Sequence, residues 1–147
     1  MKKILFIMLM ISTPIFAQSN YSIDTSYTIK NTYNKLIKKY PFISIAQSKI
    51  NIAITEIKEV VYQEYKERAL HLDVFFFNKE KKNPAVIMIH GGGWRSGNKN
   101  QMHDMAREIA SKGYSCFAIE YRLSLEAKYP EGIYDVKNAI KFIKDNA

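Results

Sequence analysis

Residues 85–94 read Ala85-Val-Ile-Met-Ile-His-Gly-Gly-Gly-Trp94, and this stretch decides the fold. A short, continuous apolar run fits a strand buried on both faces. It stops abruptly at a histidine, three glycines and an indole. Glycine has no Cβ, so the run lets backbone N–H groups turn freely and approach a ligand closely, at ~0.5–1 kcal/mol per glycine relative to alanine in regular structure. Chemistry that needs such a loop is an oxyanion hole, where preorganised N–H donors meet the negative charge that develops on a carbonyl oxygen during acyl transfer. The alternative is a flexible linker. Linkers are Gly/Ser-rich over many residues between polar flanks, whereas here an apolar strand leads in.

The surroundings keep the same rhythm. After Trp94 comes the turn-rich Arg95-Ser-Gly-Asn-Lys-Asn100, and then Met102, Met105, Ala106, Ile109 and Ala110 recur at helical spacing. The spacing predicts a helix over 102–112 ended by Gly113, a strand over 114–120 and a helix over 133–144, an alternation that implies a parallel sheet. Upstream, 57–65 and 69–76 read as an antiparallel hairpin with Leu70, Leu72, Val74 and Phe76 on one face. Further back, Ile29, Tyr33, Leu36, Ile37 and Tyr40 form an apolar stripe, which predicts a helix within 21–40 on the outside of the domain, stopped by Pro41. Residues 41–51 read as an irregular connector. No internal repeat is present.

With strand, glycine loop and helix in this order, the chain resembles the α/β-hydrolase superfamily, in the lipase and esterase branch whose loop carries an HGGG-type motif. His90-Gly91-Gly92-Gly93-Trp94 matches that motif letter for letter. A second block, Ile119-Glu-Tyr-Arg-Leu123 followed by Tyr129-Pro-Glu-Gly-Ile-Tyr-Asp-Val-Lys-Asn-Ala139, looks like the segment after the next strand in secreted carbohydrate-ester esterases. Leu70-His-Leu-Asp-Val-Phe75 is similar to that family's second strand. The resemblance spans roughly residues 55–147.

That resemblance implies an α/β fold in which an antiparallel hairpin leads into a parallel sheet flanked by helices, in an incomplete form. It makes Gly92 and Gly93 the oxyanion N–H donors. It leaves His90 as a structural imidazole holding the loop, because the superfamily's catalytic histidine comes last in the chain. Trp94 becomes a wall of the acyl or alcohol pocket, with a core anchor as the alternative. Arg122 and Asp135 resemble positions that brace the loops beneath the active site through a charge-assisted pair. Asp135 precedes any serine elbow, against the superfamily's order of serine, acid, histidine, so it is not read as the triad acid. No cofactor or metal is implied. The substrate would be a small-molecule or glycan-linked carboxylic ester, of acetyl or feruloyl type. A peptidase or lipase on the same fold, and a non-catalytic secreted binding module, are the other readings.

The nucleophile is missing from this picture. The superfamily places its serine in a G-x-S-x-G elbow at a strand's exit, and the 147 residues contain none. Gly113-Tyr-Ser-Cys-Phe117 comes nearest, but it lacks the second glycine and puts Ser115 at the start of a strand. Complete folds of this kind commonly run to ~200–250 residues. The expectation is therefore the N-terminal part of a serine carboxylesterase-like hydrolase, with 51–147 a partial domain that is inactive alone for want of serine, acid and final histidine.

Composition agrees with a packed globular core: 47% of residues are apolar and 13% aromatic, which argues against disorder. The net charge of +8 comes from lysines scattered among asparagines and isoleucines, so no basic stripe points to nucleic acid. Residues 79–84 read as a polar loop between strands. Residues 1–17 carry Lys2 and Lys3, an apolar core and a small Ala17, the layout of a secretory signal peptide; the run falls short of the ~20 apolar residues of a membrane span. Its removal leaves 18–50 as helix and connector, 20 basic against 14 acidic side chains, and a secreted or periplasmic location. Cys116 is the only cysteine, which excludes an intramolecular disulfide and a multi-cysteine metal site, and its apolar strand makes it a buried thiol. His71, His90 and His103 show no metal-ligand spacing.

Overall fold

Apolar alternation builds the centre of the molecule. In the computed structural model, which describes residues 24–48, 53–66, 68–77 and 83–146, β1 (Ile54–Glu64) and β2 (Ala69–Phe77) form an antiparallel hairpin. β4 (Ser115–Ile119) pairs antiparallel with β2 and parallel with β3 (Ala85–Ile89). The sheet order is β1-β2-β4-β3, so the strand that delivers the glycine loop is an edge of the described sheet. Among the described residues three α-helices accompany it: α1 (Ile29–Leu36), α2 (His103–Ala110) and α3 (Glu131–Asp145). A 3₁₀ turn, Lys99–Met102, leads into α2.

Successive side chains of a strand point to opposite faces, and both faces of this sheet are covered. On one, Leu70 and Leu72 of β2 and Ile119 of β4 pack with Ala139 and Ile143 of α3. On the other, Phe75, Met88, Cys116 and Ala118 pack with Ala106 and Ala110 of α2. The result is a mixed α/β fold with helices on both sides of the sheet, the class the alternation of residues 85–144 implies. The sequence reading gave β2 one apolar face ending at Phe76. The fully buried aromatic is instead Phe75 on the opposite face, because α2 roofs that side as well.

Helix boundaries also move. The N-terminal helix spans only Ile29–Leu36. Its start is fixed by Thr28, whose hydroxyl accepts the Asn31 N–H at 3.0 Å, while the Asp24 carboxylate takes the Ser26 N–H at 2.9 Å and turns the chain before it. None of its residues is buried, in keeping with a place outside the core. α3 begins two residues earlier than its apolar stripe suggests, at Glu131 directly after Pro130. Gly113, at φ +88°, closes the turn after α2 as expected. Residues 1–17, the end of the 41–51 connector and most of the 79–84 loop lie outside the described residues.

Candidate functional site

The loop of residues 90–98 begins where β3 leaves the sheet, and its first residue is locked in place. His90 is buried, and its ring stacks on Tyr121 with centroids 4.4 Å apart and planes 14° apart. The Tyr121 hydroxyl donates to the His90 carbonyl at 2.8 Å. Its Nδ1 faces the Gly91 carbonyl at 3.0 Å; a carbonyl only accepts, so the proton sits on Nδ1. Burial holds the His90 pKa below the ordinary histidine value, against a smaller upward pull from that bond. The imidazole is thus a neutral strut.

Next the chain folds back on one carbonyl. The Gly92 oxygen accepts the Arg95 N–H at 3.2 Å, the Ser96 N–H at 3.1 Å and the Ser96 hydroxyl at 3.3 Å. This turn needs glycine at 92: φ is +132°, and a Cβ there would lie 1.9 Å from the Ser96 carbonyl oxygen. Gly93 differs, since it has φ +62° but a Cβ would meet nothing within 4 Å. With the Gly92 carbonyl turned into the loop, no protein acceptor among the described residues takes the N–H of Gly92 or Gly93. Gly93 is exposed and Gly92 half-buried. Two free N–H groups beside each other at the end of a strand can bind an anionic or partly anionic oxygen.

Trp94 follows at φ +62°, a strained value for a bulky residue. Its carbonyl accepts the Ser124 N–H at 2.7 Å, and its ring leans on Tyr121 at 5.2 Å. The indole is 47% exposed, so it walls a cleft more than it anchors a core. That cleft, about 160 Å³, also has Arg122, Tyr129, Pro130 and Ile133 in its lining. Gly132 lets the Arg122 carbonyl approach, since a Cβ at 132 would lie 2.9 Å from that oxygen, while the indole would be in ordinary contact at 3.5 Å.

Beneath the cleft lies a dense ion-pair cluster. Arg122 donates from Nε and a terminal nitrogen to the two carboxylate oxygens of Asp135, both at 2.9 Å, and its backbone N–H adds a third bond at 3.0 Å. Its terminal nitrogen also reaches Glu131 and the Tyr65 hydroxyl, each at 2.8 Å, and the guanidinium sits 3.8 Å over the Tyr65 ring. Asp135 is fully buried. The Asp135 carboxylate raises the pKa of Arg122, and burial together with Asp135 pushes Tyr65 up to about 12. Loop and cluster are joined through the chain step from Tyr121 to Arg122. Neither Arg122 nor Asp135 touches the glycine loop by a hydrogen bond; the pair ties the segment after β4 to α3.

Two groups escape the sequence reading. Tyr121, the hub between His90 and Trp94, sits inside a quoted motif but has no periodicity that marks it. The other is a buried charge cluster. Asp73 of β2, 1% exposed, takes Lys99 Nζ at 2.8 Å, the Glu59 N–H at 2.8 Å and His103 Nε2 at 2.7 Å. Burial pushes the Asp73 carboxyl upward, but these donors outweigh it and leave the pKa below the usual range. Burial holds His103 low despite the carboxylate beside it. Cys116 is fully buried, and burial alone pushes its thiol up to about 11. No cluster of three potential metal ligands is found among the described residues, and no described helix is long and apolar enough to cross a membrane.

Comparison with known proteins gives this geometry a context. The BD-FAE family profile matches residues 72–147, which include the glycine loop, Arg122 and Asp135. Over 90 residues the chain is 37% identical to the probable carboxylic ester hydrolase LipM of Mycobacterium tuberculosis, covering 58% of this chain and 21% of that protein. It is 29% identical over 121 residues to an arylesterase of Saccharolobus solfataricus, covering 81% of this chain and 36% of the relative. The crystal structure of esterase B from Lactobacillus Rhamnosis (HN001) superposes with a TM-score of 0.59 at 21% identity, over 80% of this chain and 38% of that one. The chain thus spans well under half the length of these relatives.

Proposed function

The chain belongs to the BD-FAE family of the α/β-hydrolase superfamily, and from that footing we propose that its residues form the oxyanion side of a carboxylic ester hydrolase. The observation that carries this is the pair of acceptor-free N–H groups at Gly92 and Gly93, held in place by the inward Gly92 carbonyl. A serine oxygen attacks the ester carbonyl carbon, the C=O electron pair moves onto oxygen, and the two N–H donors stabilise that oxyanion. Collapse passes the serine proton to the leaving oxygen, expels the alcohol and leaves an acyl-enzyme, which water then hydrolyses to the free acid and the free serine.

His90 sets the direction of the loop and transfers no proton in these steps. Trp94 forms one wall of the acyl or alcohol pocket. A carbohydrate-linked acetyl or feruloyl ester is the substrate class. The resemblance of the blocks at 119–123 and 129–139 supports it, as do the aromatic walls that Trp94 and the 89%-exposed Tyr129 give to the cleft. Residues 1–17 support export to the periplasm or medium.

These residues hold no G-x-S-x-G elbow, so the nucleophilic serine is supplied from outside them and the 147-residue chain alone turns over no ester. Fluorophosphonate labelling of the protein isolated from its own cells, followed by peptide mapping, tests both halves. Labelled, active protein with the modified serine outside residues 1–147 is expected. Label on Ser96, Ser115 or Ser124, or turnover of p-nitrophenyl acetate by the 147-residue chain alone, would overturn the assignment.

A further inference from the structure

The glycine loop is pinned at its start by His90, and its far end meets the buried charges described above. Lys99 directly follows the loop and opens the 3₁₀ turn. Its side chain is 7% exposed, and its ammonium reaches Asp73 on β2, a strand that β4 separates from β3. Lys99 also contacts the Glu59 carboxylate. Lysine is almost never buried without a partner, and a buried ion pair that loses one member leaves an uncompensated charge.

The partners are themselves held by the fold. The pairing register of β1 with β2 slips between Ile57 and Val60, and in this bulge Glu59 adopts φ +57°, a left-handed conformation that costs a non-glycine residue energy. The Glu59 N–H is bonded to Asp73 and its carboxylate meets Lys99, so bulge, carboxylate and ammonium fix one another. His103, at the start of α2, supplies the other donor to Asp73; an ionised carboxylate only accepts, so its proton lies on Nε2. The cluster ties β1, β2 and α2 to the exit of the loop.

We propose that Lys99 is a positioning residue: clamped by Asp73 and Glu59, it fixes the exit of the 90–98 loop and thereby the direction of the Gly92 and Gly93 N–H groups. The functional side of this rests on the oxyanion reading of those groups. The structural side can be tested without turnover.

The probe is amide hydrogen exchange by NMR on the isotope-labelled protein isolated from its own cells, read at Arg95 and Ser96, whose N–H groups close the turn onto Gly92. Lys99→Met should accelerate exchange at those two amides at least tenfold more than at β4 amides in the same sample, and should shift the Gly92 and Gly93 amide peaks. Lys99→Arg, which keeps the charge, should recover most of the protection. Should Lys99→Met fail to fold, Glu59→Gln, at a largely exposed side chain, should give the same pattern in smaller size. Ile143→Val in the α3 core serves as a control and should leave the loop no more affected than β4. In the protein isolated from its own cells, Lys99→Met should lower kcat for p-nitrophenyl acetate with KM nearly unchanged. Loop exchange that tracks β4 in every variant, or an Arg variant as loosened as the Met variant, would overturn the proposal. Wild-type protein without esterase turnover would sink the ester reading alone, because the exchange data judge Lys99 separately.

Discussion

Alanine at Gly92 and at Gly93 should have very different costs, although the two glycines are neighbours and both have positive φ. At 92 the new Cβ would lie 1.9 Å from the Ser96 carbonyl oxygen and 2.5 Å from its carbon, both backbone atoms that cannot rotate away. Ordinary C···O contacts lie at ~3.3–3.6 Å, so the turn must open by about 1.5 Å. Opening it breaks the Arg95 and Ser96 N–H bonds to the Gly92 carbonyl, at ~0.5–1.5 kcal/mol each, and the backbone strain adds ~1–3 kcal/mol. The total is on the order of 2–6 kcal/mol. At 93 the Cβ meets nothing, and only the left-handed backbone penalty of ~1–2 kcal/mol remains. At ~2–4 °C per kcal/mol for a chain of this size, Gly92→Ala should lower Tm by about 10 °C and Gly93→Ala by about 4 °C. Thermal unfolding followed by circular dichroism decides it. Equal shifts, or a larger one for Gly93→Ala, would refute the idea that 92 is a packing requirement and 93 an open position.

Removing the carboxylate in Asp135→Ala strands Arg122 beside Glu131 and Tyr65; loss of one partner of a buried pair costs ~3–5 kcal/mol, so Tm should drop by a margin comparable to Gly92→Ala, and a change under 2 °C would show the cluster to be dispensable. Burial lowers the pKa of both His90 and His103, so the unfolded chain binds protons that the folded chain refuses: stability is fully present above the unfolded histidine value of ~6.5 and declines as pH falls below it. Tm measured from pH 7.5 to pH 5.5 should fall, and a rise would contradict the neutral imidazoles. At the sheet edge, Ile89 is 45% exposed on β3, a setting that invites intermolecular strand pairing; Ile89→Lys should reduce the aggregation of the 147-residue chain seen by light scattering, and unchanged scattering would remove β3 as the sticky edge.

Much of the fold was legible because one signal carried it. The run from Ala85 to Ile89 followed by glycines, a helical stripe and a second apolar run permits little besides a parallel β3–α2–β4 unit, and that is what forms. The hairpin was legible too, but Phe76 was favoured over Phe75 because alternation identifies two faces without saying that both are roofed. The N-terminal helix shows another limit: the apolar stripe starts at Ile29, and only the cap at Thr28 says that the helix starts there as well. In the site, glycine, histidine and tryptophan could be picked out because their order is unusual. Asp73 could not, since an acid within an alternating strand reads as a solvent-facing residue. Its partners Lys99 and His103 lie 26 and 30 residues away, and only the closed fold brings them together.

The claim at the centre is that the glycine loop stabilises a developing oxyanion. Gly93→Ala tests it most directly, because an alanine at φ +62° strains the backbone that carries the donors, while its Cβ meets nothing within 4 Å and the core is left untouched. In the protein isolated from its own cells, steady-state hydrolysis of p-nitrophenyl acetate is compared between wild type and variant, with circular dichroism as the check on folding. Weakening one oxyanion donor should lower kcat by up to the ~10²–10³ that its complete loss costs, with KM nearly constant. A folded Gly93→Ala protein with wild-type kcat would contradict the account and reduce the loop to a turn.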